Sequence, residues 1–333
     1  MSRIGNDDGL TRRDFIIKTT ALAAAAALGP TALLRQAAAV PPSKWKTGAT
    51  VVDVRSPRWR IKGKVDAAVV RKMVDYGVRR LTGKKALADA WRTIVKPTDV
   101  VGVKFNAEPG DYTGANAALV EAIAAGLVVS GVKKGNIIVV EADGAGWKNA
   151  IAPNLEHRDR VEFAPAKWTR LTPFITDQVD CLINVPNLMD HRWGGIAGCL
   201  VSVALSPSII SNPDLYTGGH CVAAAVGINK LELIRKKRRL HIVNGLVGVF
   251  DGAPVANDPK KQWAHNGLLF ASDPVACDRV HLDILQDERK RRELPDLFDR
   301  ACTPIHIEKA TRARIGVGNL NTINWIKVAD REE

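Results

Sequence analysis

The sequence has few cysteines and no closely spaced cysteine pair. Its five cysteines lie far apart, at Cys181, Cys199, Cys221, Cys277 and Cys302, and no CxxC occurs. A ferredoxin-type iron–sulfur cluster needs closely spaced thiolates, so no iron–sulfur cluster is expected. Because five is an odd number, at least one thiol has no intramolecular partner.

Long apolar runs are missing after the first forty residues. A transmembrane helix needs about 20 predominantly apolar residues, and every later stretch of this length contains several charged or polar residues. We therefore expect no transmembrane span in the mature chain.

Several catalytic fingerprints are also missing. The sequence contains no GxSxG, HExxH, HxH, GxGxxG or GxxxxGKS/T motif. These patterns would indicate a serine hydrolase, a zinc site or a nucleotide-binding loop. Any catalytic activity therefore depends on side chains that are distant in sequence and that the fold brings together.

The N-terminal segment TRRDFIIKTTALAAAAALGPTALLRQAAAV, residues 11–40, has the three parts of an export signal. Arg12 and Arg13 open it, an apolar run follows, and small residues end it at Ala39. The paired arginines and the FIIK that follows resemble a twin-arginine signal, so the twin-arginine translocation machinery is an expected partner. We predict a signal peptide over residues 1–39 and a periplasmic or otherwise extracytoplasmic mature protein. A buried or amphipathic N-terminal helix is the alternative.

The chain is strongly basic. Lysine and arginine number 48 against 35 acidic residues, a net charge of +13, and removing residues 1–39 lowers this only to +11. Outside the cytoplasm, such a charge indicates small anions or anionic envelope components as partners, and nucleic acid is not expected. The densest cluster, RKKRR at 235–239, ends an apolar-periodic segment and is predicted to be a solvated helix end.

Short β-branched runs alternate with helix-period segments from Ala49 onward. The pattern predicts an α/β fold, with a mostly parallel central sheet flanked by helices, in a single compact domain over residues 40–333. The predicted strands are 50–54, 99–106, 136–144, 179–187, 239–245 and 267–273, and the predicted helices include 65–81, 114–131 and 273–293. Asp273 is the predicted N-cap of the last helix.

Five segments occur in an order that resembles a known family. They are LTGKKALADAWRTIVKPTDVVGVKFN (81–106), VDCLINVPNLMDH (179–191), SNPDLY (211–216), RLHIVNGLVGVFDGAP (239–254) and NGLLFASDPVACD (266–278). Together they resemble the family catalogued as domain of unknown function 362, in the branch that carries twin-arginine signals. The resemblance covers nearly the whole mature chain and implies an α/β fold, but no generally established reaction.

The chain departs from the family pattern at several polar positions. Where the family usually has a lysine, this chain has Met189 or Asp190, and the family's Lys-Asn pair is Val201-Ser202 here. The family's aspartate is Asn244 here, and its histidine is Thr217. Losing these groups together weakens any activity that the resemblance implies.

Polar residues stand at or just after the ends of several predicted strands. Ligands of open α/β sheets gather at the carboxyl ends of the strands, so these residues are predicted to border one cleft. The candidate catalytic residues are Lys104, Asp143, His191 and Asp273, with Lys104 orienting an anion and the others serving as acid, base or metal ligand. The candidate ligand-binding residues are Asn106, Asn184, and Gly194 and Gly195, two glycines before a predicted helix start.

A divalent metal is one candidate cofactor. Asp190, His191 and His220 are of ligand type, and imidazole with carboxylate suits zinc, iron or manganese. The alternative is that these are ordinary loop residues and that Asp273 only caps its helix. Two functions stay open: an exported enzyme for a small anionic substrate, with or without a metal, and a non-catalytic periplasmic binding or accessory protein for an anionic ligand or envelope component.

Overall fold

The structure, a computed structural model, describes residues 48–106, 116–141, 160–163, 167–210, 220–253, 258–300 and 303–329. These residues belong to one compact unit. The predicted α/β fold is confirmed, because a mixed, mostly parallel sheet lies between two layers of helices.

The strands of the described part of the chain are numbered in sequence order. They are β1 (Thr50–Arg55), β2 (Arg60–Ile61), β3 (Lys64–Val65), β4 (Val101–Phe105), β5 (Ile137–Val140), β6 (Arg160–Phe163), β7 (Lys167–Arg170), β8 (Cys181–Val185), β9 (Asn187–His191), β10 (Gly195–Ile196), β11 (Arg238–Val249), β12 (Gln262–Trp263), β13 (Gly267–Ala271) and β14 (Asn324–Ala329).

The α-helices of the same residues are numbered likewise. They are α1 (Ala67–Thr82), α2 (Leu87–Arg92), α3 (Ala117–Val129), α4 (Cys199–Ala204), α5 (His220–Lys230), α6 (Glu232–Lys237), α7 (Pro274–Arg291) and α8 (His306–Arg312). Within the described ranges, no helix combines the length and the apolar character needed to cross a membrane.

The central sheet has the strand order β14-β1-β13-β11-β8-β4-β5. The strands β5, β4, β8 and β11 are parallel, and β1 is parallel to β14. The strand β13 runs antiparallel to both of its neighbours, β1 and β11. The long strand β11 also pairs with β9 and β12 beyond the end of β8.

The six predicted strands are found as β1, β4, β5, β8, β11 and β13, and the three predicted helices as α1, α3 and α7. The predicted N-cap is confirmed, because Asp273 accepts N–H bonds from Val275 and Ala276 at 2.8 and 3.0 Å. The strand β14 is additional. Its residues are mostly exposed or half-buried at the sheet edge, so they lack the apolar alternation of a covered strand.

Different helices cover the two faces of the sheet. Side chains alternate along a strand, so Val103 and Phe105 of β4 point to one face and Lys104 to the other. The helices α1, α2 and α3 pack on the first face, which we call the apolar face. The helices α4 and α7 pack on the second, which we call the polar face.

The basic cluster at 235–239 is only in part a solvated helix end. Arg235 and Lys236 are exposed at the end of α6, but Lys237 donates to two backbone carbonyls, at 2.7 and 2.9 Å. Arg238 is buried at the start of β11, and Arg239 forms a 2.6 Å ion pair with a buried carboxylate. Three of the five cations therefore hold the chain together.

Cysteines of the described ranges are buried free thiols, at Cys181, Cys199, Cys221 and Cys277. Cys302 lies outside the described residues.

Candidate functional site

The register of the sheet brings three polar side chains into one row on the polar face. Lys104 of β4 lies beside Asn184 of β8, and Asn184 lies beside His241 of β11. All three are buried. Buried polar groups are costly unless they are hydrogen-bonded, so the row depends on its partners.

The ammonium group of Lys104 has an acceptor for each of its three N–H donors. Nζ donates to the Asn106 side-chain oxygen, to Ser202 Oγ at 2.7 Å and to the Glu141 carboxylate at 3.2 Å. The Lys104 side chain is 2% exposed and that of Glu141 is 17% exposed. The ion pair is therefore more accessible at its Glu141 end.

Burial lowers the pKa of the Lys104 ammonium, and the nearby Glu141 carboxylate opposes this by favouring the charged form. A lysine with a lowered pKa releases its proton more readily than a surface lysine. Ionisable groups perturbed in this way are concentrated at functional sites. Lys104 is thus suited either to orient an anion or to exchange a proton with one.

A hydrogen-bonded chain continues from Ser202 to His241. Ser202 Oγ lies 2.9 Å from Asn184 Oδ1, and Asn184 Nδ2 donates to the Cys199 carbonyl at 3.1 Å and to His241 Nδ1 at 3.2 Å. Because Nδ1 accepts, the proton of neutral His241 lies on Nε2, which has no partner among the described residues. Burial holds the pKa of His241 well below its ordinary value, so the ring is neutral.

Glu141 adopts a left-handed backbone conformation, with φ of 57°. One carboxylate oxygen accepts from the Ser206 hydroxyl and from the Ser208 N–H at 3.1 Å, and the other faces Lys104. Such a conformation costs a non-glycine residue about 1–3 kcal/mol and persists only where surrounding contacts enforce it. Here the backbone strain coincides with the buried ion pair.

The short helix that carries Ser202 is anchored by a buried carboxylate. Asp278 of α7 accepts from the N–H groups of Cys199 and Leu200, the latter at 3.0 Å. A Cβ at Gly198 would collide with this carboxylate, so glycine is required there. The position of Ser202 beside Lys104 therefore depends on Asp278, which does not touch Lys104 itself.

Three predicted site residues, Lys104, Asn106 and Asn184, meet in this network. Asp143 lies outside the described residues. Glu141, two residues earlier, supplies the carboxylate beside Lys104.

Asp273 lies apart from the network. The strand β13 is antiparallel to β11, so it ends toward the amino-terminal ends of β4 and β8. The strands β11 and β8 also lie between β13 and β4. Three strand spacings of about 4.8 Å therefore separate β13 from β4, a distance of roughly 14 Å. The Asp273 carboxylate caps α7 and accepts from Val317 N at 2.9 Å. Asp273 therefore does not lie at the edge of the sheet where Lys104 lies, because its strand runs the other way.

Asp190 and His191 are neighbours in β9, so their side chains point to opposite sides. Asp190 forms a 2.8 Å ion pair with Arg300 and accepts from Ala253 N at 2.9 Å. His191 Nδ1 accepts from Gly194 N at 3.1 Å, and burial lowers the pKa of His191 to about 4. Both side chains thus have structural partners.

Within the described ranges, no group of three or more His, Cys, Asp or Glu side chains is arranged to hold a metal ion. The helix α5 begins at His220, whose side chain lies outside the described ones. A metal at Asp190, His191 and His220 stays a prediction, which metal analysis of the purified protein can test.

Gly194 ends the turn between β9 and β10 and Gly195 begins β10, so neither glycine begins a helix. Gly195 has a φ of 77°, and a Cβ there would lie 2.5 Å from Pro304 N. The helix α4 begins at Cys199, where its first N–H groups already bind the Asp278 carboxylate. The helix start that was predicted to bind an external anion therefore binds one from the chain itself.

Ser202, His241 and Asp278 are residues of the network that the sequence does not predict. A signal exists for His241, which interrupts the apolar strand RLHIVNG as Lys104 interrupts VVGVKFN. No comparable pattern marks Ser202, because its role depends on a contact with a residue 98 positions away.

No family model matches the chain, and no curated protein or solved structure matches it either. The resemblance to domain of unknown function 362 accordingly rests on the five segments described above.

Proposed function

We propose that the protein is an exported enzyme that acts on a small anionic substrate at the network around Lys104. One observation carries the proposal: a buried, fully hydrogen-bonded ammonium group lies at the carboxyl ends of three parallel strands, β5, β4 and β8. This edge is where open α/β sheets bind their ligands.

Stability alone explains the network poorly. Removing an ion from water costs several kcal/mol, and apolar residues of similar volume are often equally stable in its place. The same strands bury apolar side chains on their other face, so the fold accommodates such packing. The strained backbone of Glu141 adds a second cost at the same point.

In the proposed reaction, Lys104 orients the substrate anion and exchanges a proton with it. Ser202 and Asn106 hold the ammonium group in place. The Glu141 carboxylate competes with the substrate anion for the Lys104 ammonium group, because it forms an ion pair with Lys104 and is the more exposed of the two side chains.

A non-catalytic binding or accessory protein is the second candidate. It is favoured by the structural use of Asp190 and Asp273, which form an ion pair and a helix cap. Lys104 and Glu141 then suffice to bind an anion without an additional acid–base group.

Anion binding is tested by calorimetric titration of the purified protein with inorganic phosphate and with acetate. Lys104→Met should weaken binding by about tenfold or more, because a charge-assisted hydrogen bond is lost. Glu141→Gln should strengthen binding, because the competing negative charge is removed. Lys72→Met, at an exposed position on α1, is the matched control and should change nothing.

The opposite signs distinguish a ligand site from a structural ion pair. If Lys104→Met and Glu141→Gln alter binding in the same direction, or if the unaltered protein binds neither anion, the proposal is wrong. Mass spectrometry of an anionic metabolite extract separates the two candidate functions. A compound consumed only when Lys104 is intact supports an enzyme, and one retained unchanged on the protein supports a binding protein.

We also propose export by the twin-arginine pathway, supported by TRRDFIIK and the alanines that end at Ala39. Replacing Arg12 and Arg13 with lysines should leave the precursor in the cytoplasm, as seen by fractionation and immunoblotting. Arg3→Lys, outside the motif, should be exported normally. Normal export of the double variant would contradict the proposal.

A further inference from the structure

A separate cavity lies near the other edge of the sheet, where β1 and β14 meet α7. Its volume is about 230 Å³, and its walls include Arg55, Trp263, His265, Arg291, Trp325 and Lys327. The strands β4 and β5, which hold the Lys104 network, lie at the opposite edge. We propose that this cavity is a binding site for a carboxylate attached to a single ring, such as an aromatic acid or a sugar acid.

Two residues of the cavity wall, His265 and Trp325, each have a buried ring nitrogen, Nε2 and Nε1, without a hydrogen-bond partner among the described residues. The His265 side chain is 3% exposed, and its Nε2 lies 3.7 Å from an Asp53 oxygen, beyond hydrogen-bond distance. Leaving a buried polar atom unsatisfied costs about 1–3 kcal/mol. Because both nitrogens are buried, the groups that can reach a ligand in the cavity are the more exposed cations and the tryptophan rings.

Glycines in the sheet make room for this wall. A Cβ at Gly267 would lie 2.9 Å from His265 Nε2 and 3.1 Å from Arg55 Cγ, and a Cβ at Gly245 would lie 3.0 Å from His265 Cδ2. Glycine inside a strand is less stable than alanine by about 0.5–1 kcal/mol. The sheet therefore gives up stability where the imidazole and the arginine stem approach it.

The two arginines of the cavity are held in place by carboxylates behind them. Asp53 accepts from Arg55 at 2.7 and 3.0 Å, and Glu288 accepts from Arg291 at 2.6 Å. A guanidinium group has five N–H donors in a planar fork, so donors are left over that match a second carboxylate. Oriented arginines of this kind favour a carboxylate ligand.

Lys327 and the tryptophans complete the recognition surface. Lys327 Nζ lies 3.7 Å from the centre of the Trp325 ring. Asp287 is the one carboxylate among the described residues of the wall, against three cations, so the lining favours an anion. Trp263 and Trp325 add flat apolar surface suited to a ring. The volume is below the range of about 300–1,000 Å³ typical of drug-sized ligands, which limits the occupant to about one ring.

The site is tested by calorimetric titration with benzoate, glucuronate and acetate, together with the indole N–H signals in a ¹H–¹⁵N spectrum. We expect benzoate or glucuronate to bind and to shift the Trp325 indole signal, which Trp325→Phe identifies by its loss. Lys327→Met should weaken binding by about tenfold, whereas Lys72→Met should not. Lys104→Met should also leave this binding intact, because the two sites are independent.

Preference for benzoate or glucuronate over acetate supports the proposal and shows whether the ring is aromatic or a sugar. The proposal is overturned if acetate binds as tightly as both ring-bearing acids, if none of the three binds, or if saturation leaves the Trp325 indole signal unmoved. Lys327 is exposed, so its substitution should leave the thermal midpoint unchanged, and this check separates lost binding from unfolding.

Discussion

The two faces of the central sheet are built from alternate residues of the same strands and serve different ends. On the apolar face, Val103 and Phe105 pack against α1, α2 and α3. On the polar face, Lys104 lies between those two residues in sequence and is buried among Ser202, Asn106 and Glu141. The apolar face stabilises the fold through buried apolar area. On the polar face, each buried polar side chain depends on particular hydrogen-bond or ion-pair partners.

Histidines make the difference plain. All five histidines whose side chains are described are buried, at His191, His241, His265, His281 and His306, and the last four have a ring nitrogen without a hydrogen-bond partner in the described part of the chain. A core selected for stability alone satisfies or excludes such atoms. We therefore place the proposed chemistry on the polar face, whereas the apolar face stabilises the fold.

The largest expected effect is on the apolar face. Phe270→Ala removes a fully buried ring from the apolar core and should lower the free energy of unfolding by about 3–5 kcal/mol. Val128→Ala, at a residue of α3 that is 47% exposed, should change it by less than about 0.5 kcal/mol. Urea unfolding followed by circular dichroism measures both, and similar losses in the two variants would contradict the assignment of the core.

Acid should act through the buried histidines. Burial lowers the pKa of His191 and of His281 to about 4, whereas a histidine of the unfolded chain titrates near 6.5. The unfolded state therefore binds more protons below pH 6.5, so stability is retained above 6.5 and falls as the pH falls toward 4. At pH 5 each of these histidines should lower stability by about 2 kcal/mol.

Urea midpoints at pH 7.5 and pH 5 measure this loss. Burial also lowers the pKa of His241 and of His265, which adds to it, whereas the raised pKa of Asp190 and of Asp273 opposes it nearer pH 4. His281→Asn should reduce the pH dependence. Equal midpoints at both pH values would show that these rings are not held neutral by burial.

The smallest change in stability is expected from removing a helix cap, and one cap lies on each face of the sheet. Asp66 caps α1 through the N–H groups of Ala68 and Val69, and Asp278 caps α4. Replacing either with alanine should lower the free energy of unfolding by about 1–2 kcal/mol. Only Asp278→Ala should also weaken anion binding at Lys104, because it frees the helix that positions Ser202. Equal binding by both variants would argue against that coupling.

Much of the fold was predictable because strands and helices follow local patterns. The run VVGVKFN predicts β4, and its one basic residue inside an apolar alternation already indicates that Lys104 needs a partner. Asp273 was predictable as a cap for the same reason, since the cap and the N–H groups that it binds are within three residues.

Pairing between distant segments was not predictable. The antiparallel direction of β13 removes Asp273 from the edge where Lys104 lies, although the strand itself is placed correctly from its sequence. Glu141 contacts Lys104 from just past the end of β5, where its backbone has a left-handed conformation.

By itself, the sequence determined which residues alternate and where the main helices begin, and it predicts an export signal at the N-terminus of a basic chain. Only the tertiary structure decided which polar residues share a site, as when Ser202 and Glu141 close around Lys104. The physical reason is the distance along the chain over which each interaction acts. Propensity and capping act over a few residues, whereas the partners of a buried charge are set by strand direction, register and helix packing across the whole domain.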